Sequence, residues 1–155
     1  MKTLDTKIDE YIEIACSVDV FSLQEIQGLK EILQECFRNP GGDYIIFEER
    51  VGQEVAGFII FGRISFTEYS WDIYWLLVGK KFQGMGLGKK LLVRVEKFVL
   101  ERGRSSILKV ETSTGKEYSH ARNLYTRHGY KEMGIIPDFY KEGDNLIVYY
   151  KRMVR

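Results

Sequence analysis

Residues 71–112 hold a succession that leaves few folds open. An apolar run, WDIYWLLV (71–78), is followed by a loop with glycine at alternate positions, QGMGLGKK (83–90). Leu87, Leu91, Leu92, Val95, Phe98 and Val99 then recur at helical spacing, and the pattern stops near Arg102-Gly103. A second β-rich run, SILKVET (106–112), comes next. Strand, loop, helix and strand in that order form a βαβ crossover, which makes its two strands parallel. The almost wholly apolar first run predicts a central strand buried on both faces.

The flanks are read the same way. Leu23, Ile26, Leu29, Ile32, Leu33, Cys36 and Phe37 predict a helix over 22–37, with Ser22 and Glu25 as a capping box. YIIFE (44–48) and EVAGFIIFGRI (54–64) read as strands joined by a hairpin turn at RVGQ. Residues 118–128 read as a short helix ending at Gly129, and strands near 130–135 and 145–152 are joined by the loop PDFYKEGD. No internal repeat appears. The expected organisation is one domain over 1–155.

A loop entering a helix exposes backbone N–H groups at the positive end of the helix dipole, where an anion is favoured. Glycine permits φ > 0 and close approach of a ligand. Gly84, Gly86 and Gly88, with Lys89 and Lys90 behind them, therefore read as a phosphate cradle. Two familiar cradles fail on spacing. A Walker A loop would need glycine at Gln83 and Ser or Thr at Lys90, and the dinucleotide fingerprint G-x-G-x-x-G would need glycine at Lys89.

The stretch V-x-x-x-x-Q-G-x-G-x-G-K, Val78 to Lys89, resembles motif A of the GNAT superfamily of acyl-CoA N-acyltransferases. Residues 121–130, ARNLYTRHGY, resemble its motif B, in which Ala-x-x-Leu-Tyr lies on a helix ending at Gly-Phe or Gly-Tyr. The tail IPDFYKEGDNLIVYYKRM is similar to the closing hairpin of many members. The resemblance covers a core at 44–153, with 1–43 as a variable helical region, and implies a single α/β (α+β) domain of GNAT type: a mixed, mostly antiparallel sheet with one splayed parallel strand pair at its centre and helices on both faces. One position departs from the pattern. Many members carry Asn seven residues before the motif B tyrosine, where this chain has Tyr118, while Asn123 lies two residues before Tyr125.

The resemblance also implies a chemistry, transfer of an acetyl group from acetyl-CoA to a primary amine. Gln83, Gly84, Met85, Gly86, Leu87, Gly88 and Lys89 would hold the pyrophosphate. Backbone groups of Leu77 and Val78 would meet the pantetheine amides and face the thioester carbonyl. Ala121 would let the pantetheine arm pass. Tyr125 matches the superfamily's general acid, its alternative being a packed tyrosine that only hydrogen-bonds the cofactor. An unperturbed phenol, with a pKa near 10, and a thiol of about 8.5 are close enough for proton transfer. Asp72 stands six residues before Val78, where many members place a Glu, and is the candidate base. Glu68 and a water chain are its rivals. His120 and His128 match no catalytic position of the family.

Charge bears on the partners to expect. Lys plus Arg (23) against Asp plus Glu (22) leaves +1, which argues against a nucleic-acid or anionic-membrane surface. The N-terminal residues lack a secretory pattern, so a cytoplasmic chain with Cys16 and Cys36 reduced is expected. Cys/His ligand spacing and Gly-x-Ser-x-Gly are both missing, which leaves metal and hydrolase readings unsupported. Phe66, Tyr69, Trp71, Phe139 and Tyr140 could border the acceptor mouth, but read mostly as core or dimer-interface filler. The expected partners are acetyl-CoA and a small-molecule or peptide amine, with a homodimer as a further expectation. Two other readings stay open, a CoA-binding regulatory domain without turnover and a mononucleotide-binding module.

Overall fold

The computed structural model describes residues 1–155. Four α-helices and six strands follow in the order α1 (Leu4–Val18), α2 (Leu23–Arg38), β1 (Ile45–Val51), β2 (Glu54–Arg63), β3 (Ser70–Val78), α3 (Leu87–Leu100), β4 (Ser105–Ser113), α4 (Ser119–Arg127), β5 (Lys131–Lys141) and β6 (Asp144–Val154). The strands form a six-stranded sheet in the order β1-β2-β3-β4-β6-β5. β3 and β4 are parallel, while β1–β2, β4–β6 and β5–β6 are antiparallel. By its internal contacts the chain divides into two compact units. One comprises Met1–Gly62 with Trp75–Val95, the other Arg63–Tyr74 with Glu96–Arg155.

In the first unit, α1 and α2 cover one face of the β1–β2 hairpin. The predicted capping box of α2 is present: Glu25 N–H donates to Ser22 Oγ at 3.1 Å, and Ser22 N–H to Glu25 Oε2 at 2.7 Å. α1 was not read from the sequence, although Ile8, Tyr11, Ala15 and Ile14 are buried along one stripe of it. These residues pack with Leu29, Leu33, Cys36, Val55, Phe58 and Ile60. Val55 joins Phe58 and Ile60 on that face because the register slips between Glu49 and Arg50, where Glu49 pairs with Gly57 and Arg50 with Val55. Phe61, on the opposite face, lies 5.1 Å from Phe47, and the Arg94 guanidinium of α3 stacks 4.7 Å over the Phe47 ring. Helices therefore lie on both faces of this part of the sheet. β2 is buried continuously from Val55 to Gly62.

In the second unit, one face of β4 carries the buried Ser106, Leu108, Val110 and Thr112. That face meets the end of α3, where Ser106 Oγ donates to the Val99 carbonyl at 3.0 Å, and Trp71 packs edge-on against Phe98 at 6.0 Å. The opposite face, bearing Ile107, Lys109 and Glu111, is only half-buried or exposed.

Two expectations are corrected. β3 is third of six strands but is not buried on both faces: Trp71 and Ile73 are buried, Asp72 is half-buried and Tyr74 is exposed. The apolar run misleads because its aromatic side chains can sit on a half-open face. The segment 137–144 is mostly strand, with β5 running through Pro137 to Lys141 and only Glu142 and Gly143 in the turn. An edge strand tolerates proline, since no ladder N–H is lost on the open side. Of the five aromatics expected as filler, Trp71 is buried, whereas Phe66, Phe139 and Tyr140 are exposed.

Candidate active site

The glycine loop belongs to the first unit. After Val78, Gly79 N–H donates to the Ala56 carbonyl at 2.8 Å, and a single 3₁₀ turn, Lys80–Phe82, follows. Lys80 N–H donates to Ser17 Oγ at 3.1 Å, which ties the loop to the end of α1. Gly84 (φ +83°) and Gly86 (φ +76°) then take left-handed backbone, and α3 begins at Leu87. A Cβ at either glycine would meet no protein atom within 4 Å. Their need is therefore conformational, and the space above them is open. Gly88 is the second residue of the helix and does not have positive φ.

The first intrahelical bond runs from Lys90 N–H to the Gly86 carbonyl at 3.1 Å. The N–H groups of Leu87, Gly88 and Lys89 thus lie ahead of the helix's own ladder, at its positive end. The cations behind them divide. Lys90 pairs with Glu49 at 3.2 Å, and Arg94 pairs with the same carboxylate at 3.0 Å, whereas Lys89 makes no ion pair. Gln83 turns its amide back to the Val78 carbonyl at 3.4 Å, bracing the strand end instead of reaching outward. Gly57 was not singled out from the sequence. A Cβ there would stand 2.8 Å from the Leu77 carbonyl oxygen, so only glycine lets β2 approach the end of β3 this closely.

The other candidates belong to the second unit. The parallel ladder runs from Ser70↔Ile107 to Ile73↔Val110 and stops there, although β3 continues to Val78 and β4 to Ser113. Arg122 fixes α4 over the end of β4 by donating to the carbonyls of Ser113 and Gly115, each at 2.7 Å. Ala121 and Tyr125 lie one turn apart on this helix. Tyr125 is buried, its ring centroid 5.7 Å from that of Tyr130 and 5.9 Å from that of Tyr149. Burial holds its phenol well above the ordinary tyrosine pKa. The near-match with a thiol expected from unperturbed values is therefore lost: the phenol stays protonated and donates a hydrogen bond more readily than a proton.

Behind Tyr125 lies a polar cluster that sequence patterning missed. Glu96 of α3 is buried and pairs with Lys151 of β6 at 2.5 Å, and the Lys151 ammonium lies 5.6 Å from the Tyr130 ring centroid. The Tyr130 hydroxyl is buried without a hydrogen-bond partner. Burial, followed by the Glu96 charge, pushes its pKa far up. An unpaired buried hydroxyl is costly, so Tyr130→Phe is expected to stabilise the protein by about 1 kcal/mol, roughly 2–4 °C in Tm. A melting curve shifted downward would show that the hydroxyl has a partner in solution.

Asp72 is half-buried on β3 beside its parallel partner Lys109, with Nζ 3.3 Å from Oδ1. Burial raises the Asp72 pKa, and the Lys109 charge and hydrogen bond oppose that rise. Glu68 is exposed in the loop before β3, and its carbonyl accepts from Arg63. His120 is exposed, and His128 is the C-cap residue of α4.

This fold recurs among acetyltransferases. A crystal structure from Desulfovibrio desulfuricans, assigned to the GNAT acetyltransferases, superposes with a TM-score of 0.87 at 28% identity, covering 99% of this chain and 95% of that one. An aminoglycoside 6'-N-acetyltransferase solved with coenzyme A superposes with a TM-score of 0.72 at 17% identity, over 96% and 91% of the two chains. An N-acetyltransferase of Methanocaldococcus jannaschii, itself uncharacterised, is 24% identical over 143 residues, 85% of this chain and 88% of that protein. The sequence profile of the Acetyltransferase (GNAT) family matches residues 10–130, and the chain belongs to that family.

Proposed function

We propose that the chain transfers an acetyl group from acetyl-CoA directly to a primary amine. The observation that carries this reading is the loop at the start of α3. Left-handed Gly84 and Gly86, open space where their side chains would be, and the N–H groups of Leu87, Gly88 and Lys89 suit a pyrophosphate. Family membership and the coenzyme A complex of a structural neighbour support the same cofactor.

When bound, acetyl-CoA supplies the acetyl group as a thioester. Residues Gly84–Lys89 grip its phosphates, with Lys89 adding charge, and Gln83 keeps the end of β3 in place. Backbone groups of Leu77 and Val78 align the pantetheine amides, and Ala121 leaves room beside α4. The amine nitrogen bonds to the acetyl carbon as the carbon–sulfur bond breaks. Starting from the ammonium, two protons leave nitrogen. One goes to Asp72 and on to solvent, and the other balances the sulfur, which leaves as a thiol. Tyr125 stays protonated and donates a hydrogen bond to that sulfur, stabilising the charge that develops on it.

Asp72 accepts a proton only when ionised, so turnover is present above its pKa and lost as pH falls through it. Because burial raises that pKa, the acidic limb is expected at higher pH than an exposed aspartate would give. Asp72→Asn is expected to lower kcat and remove this limb, with little change in acetyl-CoA affinity. Wild-type rates at every pH would move the role to Glu68 or to water. The reading as a whole is tested by thiol release from acetyl-CoA with a panel of amines. Tight CoA binding without release for any amine would favour a regulatory domain.

A further inference from the structure

The uncovered face of the second unit's sheet holds a shallow, open cavity of about 250 Å³. Ile64, Ile107, Met133 and Val148 form its walls with the ring of Tyr150, and Ser70 and Lys109 stand at its edge. β4 and β6 place Lys109 and Tyr150 as direct cross-strand partners, and β3 places Asp72 beside Lys109. The Lys109 ammonium sits between two carboxylates, 3.3 Å from Asp72 and 3.2 Å from Glu111. The apolar cavity therefore abuts two carboxylates that share one ammonium, while Lys131 and Arg152 stand on the same face as ladder partners of Tyr150 and Ile107.

From this juxtaposition we propose that the cavity is the acceptor pocket and takes a small primary monoamine on an apolar carbon skeleton. This rests on the acetyl-transfer reading, in which Asp72 receives the amine's proton. The skeleton would lie in the apolar cavity, where burial favours it. The ammonium would lie toward Asp72 and Glu111, the two carboxylates that share Lys109. The same cluster discriminates among amines. A polyamine or aminoglycoside brings several ammonium groups to a site with two carboxylates and a resident cation. An α-amino acid brings a carboxylate against Asp72 and Glu111. Both arrangements place like charges together.

The test separates the pocket from the chemistry by reading binding first. With CoA present at pH 8, calorimetry is run with 4-phenylbutylamine, spermidine, kanamycin and leucine. 4-Phenylbutylamine is expected to bind at least tenfold more tightly than the other three. Ile107→Trp, which fills the cavity, and Met133→Lys, which sets an ammonium at its exposed rim, are each expected to weaken that binding at least tenfold while leaving acetyl-CoA affinity unchanged. Met133 is exposed, so its variant keeps the test sound where Ile107→Trp disturbs folding. Preferential binding of spermidine, kanamycin or leucine, no binding of 4-phenylbutylamine, or binding that both folded variants retain would overturn the pocket assignment. Acetyl-CoA binding and thiol release with another amine would still leave the acetyl-transfer reading intact. Loss of acetyl-CoA binding by the wild-type protein would instead remove that reading.

Discussion

Gly86→Val is expected to abolish measurable acetyl-CoA binding in a protein that still folds. Two physical effects combine. At φ +76° a β-branched residue is strained, and the loop must open to relieve it, which shifts the N–H groups of Leu87–Lys89 at the start of α3. Any side chain that stays in place also projects into the open space where a phosphate would lie. The cost to the fold is limited, because no protein atom lies within 4 Å of the new Cβ. Strain of about 1–2 kcal/mol would lower Tm by only a few degrees, roughly 2–4 °C per kcal/mol in a chain of this size. Calorimetry with acetyl-CoA checks the first outcome, and a melting curve the second. Unchanged affinity would remove the loop from cofactor binding.

Tyr125→Phe has the next largest expected effect, this time on rate. The ring keeps its packing against Tyr130 and Tyr149, so folding should be unaffected. What is lost is the hydroxyl. Since burial holds the phenol above its ordinary pKa, full transfer of its proton to a thiolate is uphill, and the useful interaction is a hydrogen bond to developing negative charge. A hydrogen bond to a charged group is worth about 1.5–3 kcal/mol, which corresponds to roughly 10- to 100-fold in rate. That lies at or below the lower end of the 10²–10⁴ typical of positioned acid catalysis. The expected outcome is a fall in kcat of about that size, with acetyl-CoA affinity changed less than about tenfold. A parallel collapse of binding would make Tyr125 a cofactor anchor. No change in either would detach the helix from the reaction.

The strand–loop–helix–strand core was legible because each of its signals is local. Glycine at 84 and 86 marks positive φ, periodic leucines mark α3, and motif spacing marks α4. The parts that escaped depend on partners distant in sequence. Gly57 matters only because the Leu77 carbonyl passes it, and Glu96 reads as a surface residue until Lys151 is placed beside it. Helix α1 escaped for another reason: polar residues interrupt its stripe, and its cap, Thr3, lies at the chain's start. Gln83 was legible as a motif residue, but its side-chain bond to Val78 was not. The perturbed state of Tyr125 could not be read at all, since burial is a property of the packed molecule and not of ARNLYTRHGY.

The outer strand β5 has a consequence for behaviour in crowded solution. It is exposed along its whole length and carries Met133, Ile135, Ile136, Phe139 and Tyr140, the composition of a segment prone to stack into fibrils. Its backbone works against that outcome. Pairing with β6 slips between Glu132 and Gly134 and again between Ile136 and Lys141. Inside the second slip, Pro137 has no N–H to offer. Asp138 is left-handed at φ +55°, its N–H is taken by the Asn145 side chain, and its own carboxylate accepts from Gly143 N–H. An incoming strand finds no long, flat row of donors and acceptors to copy, so a sticky surface is kept from becoming a template for aggregation.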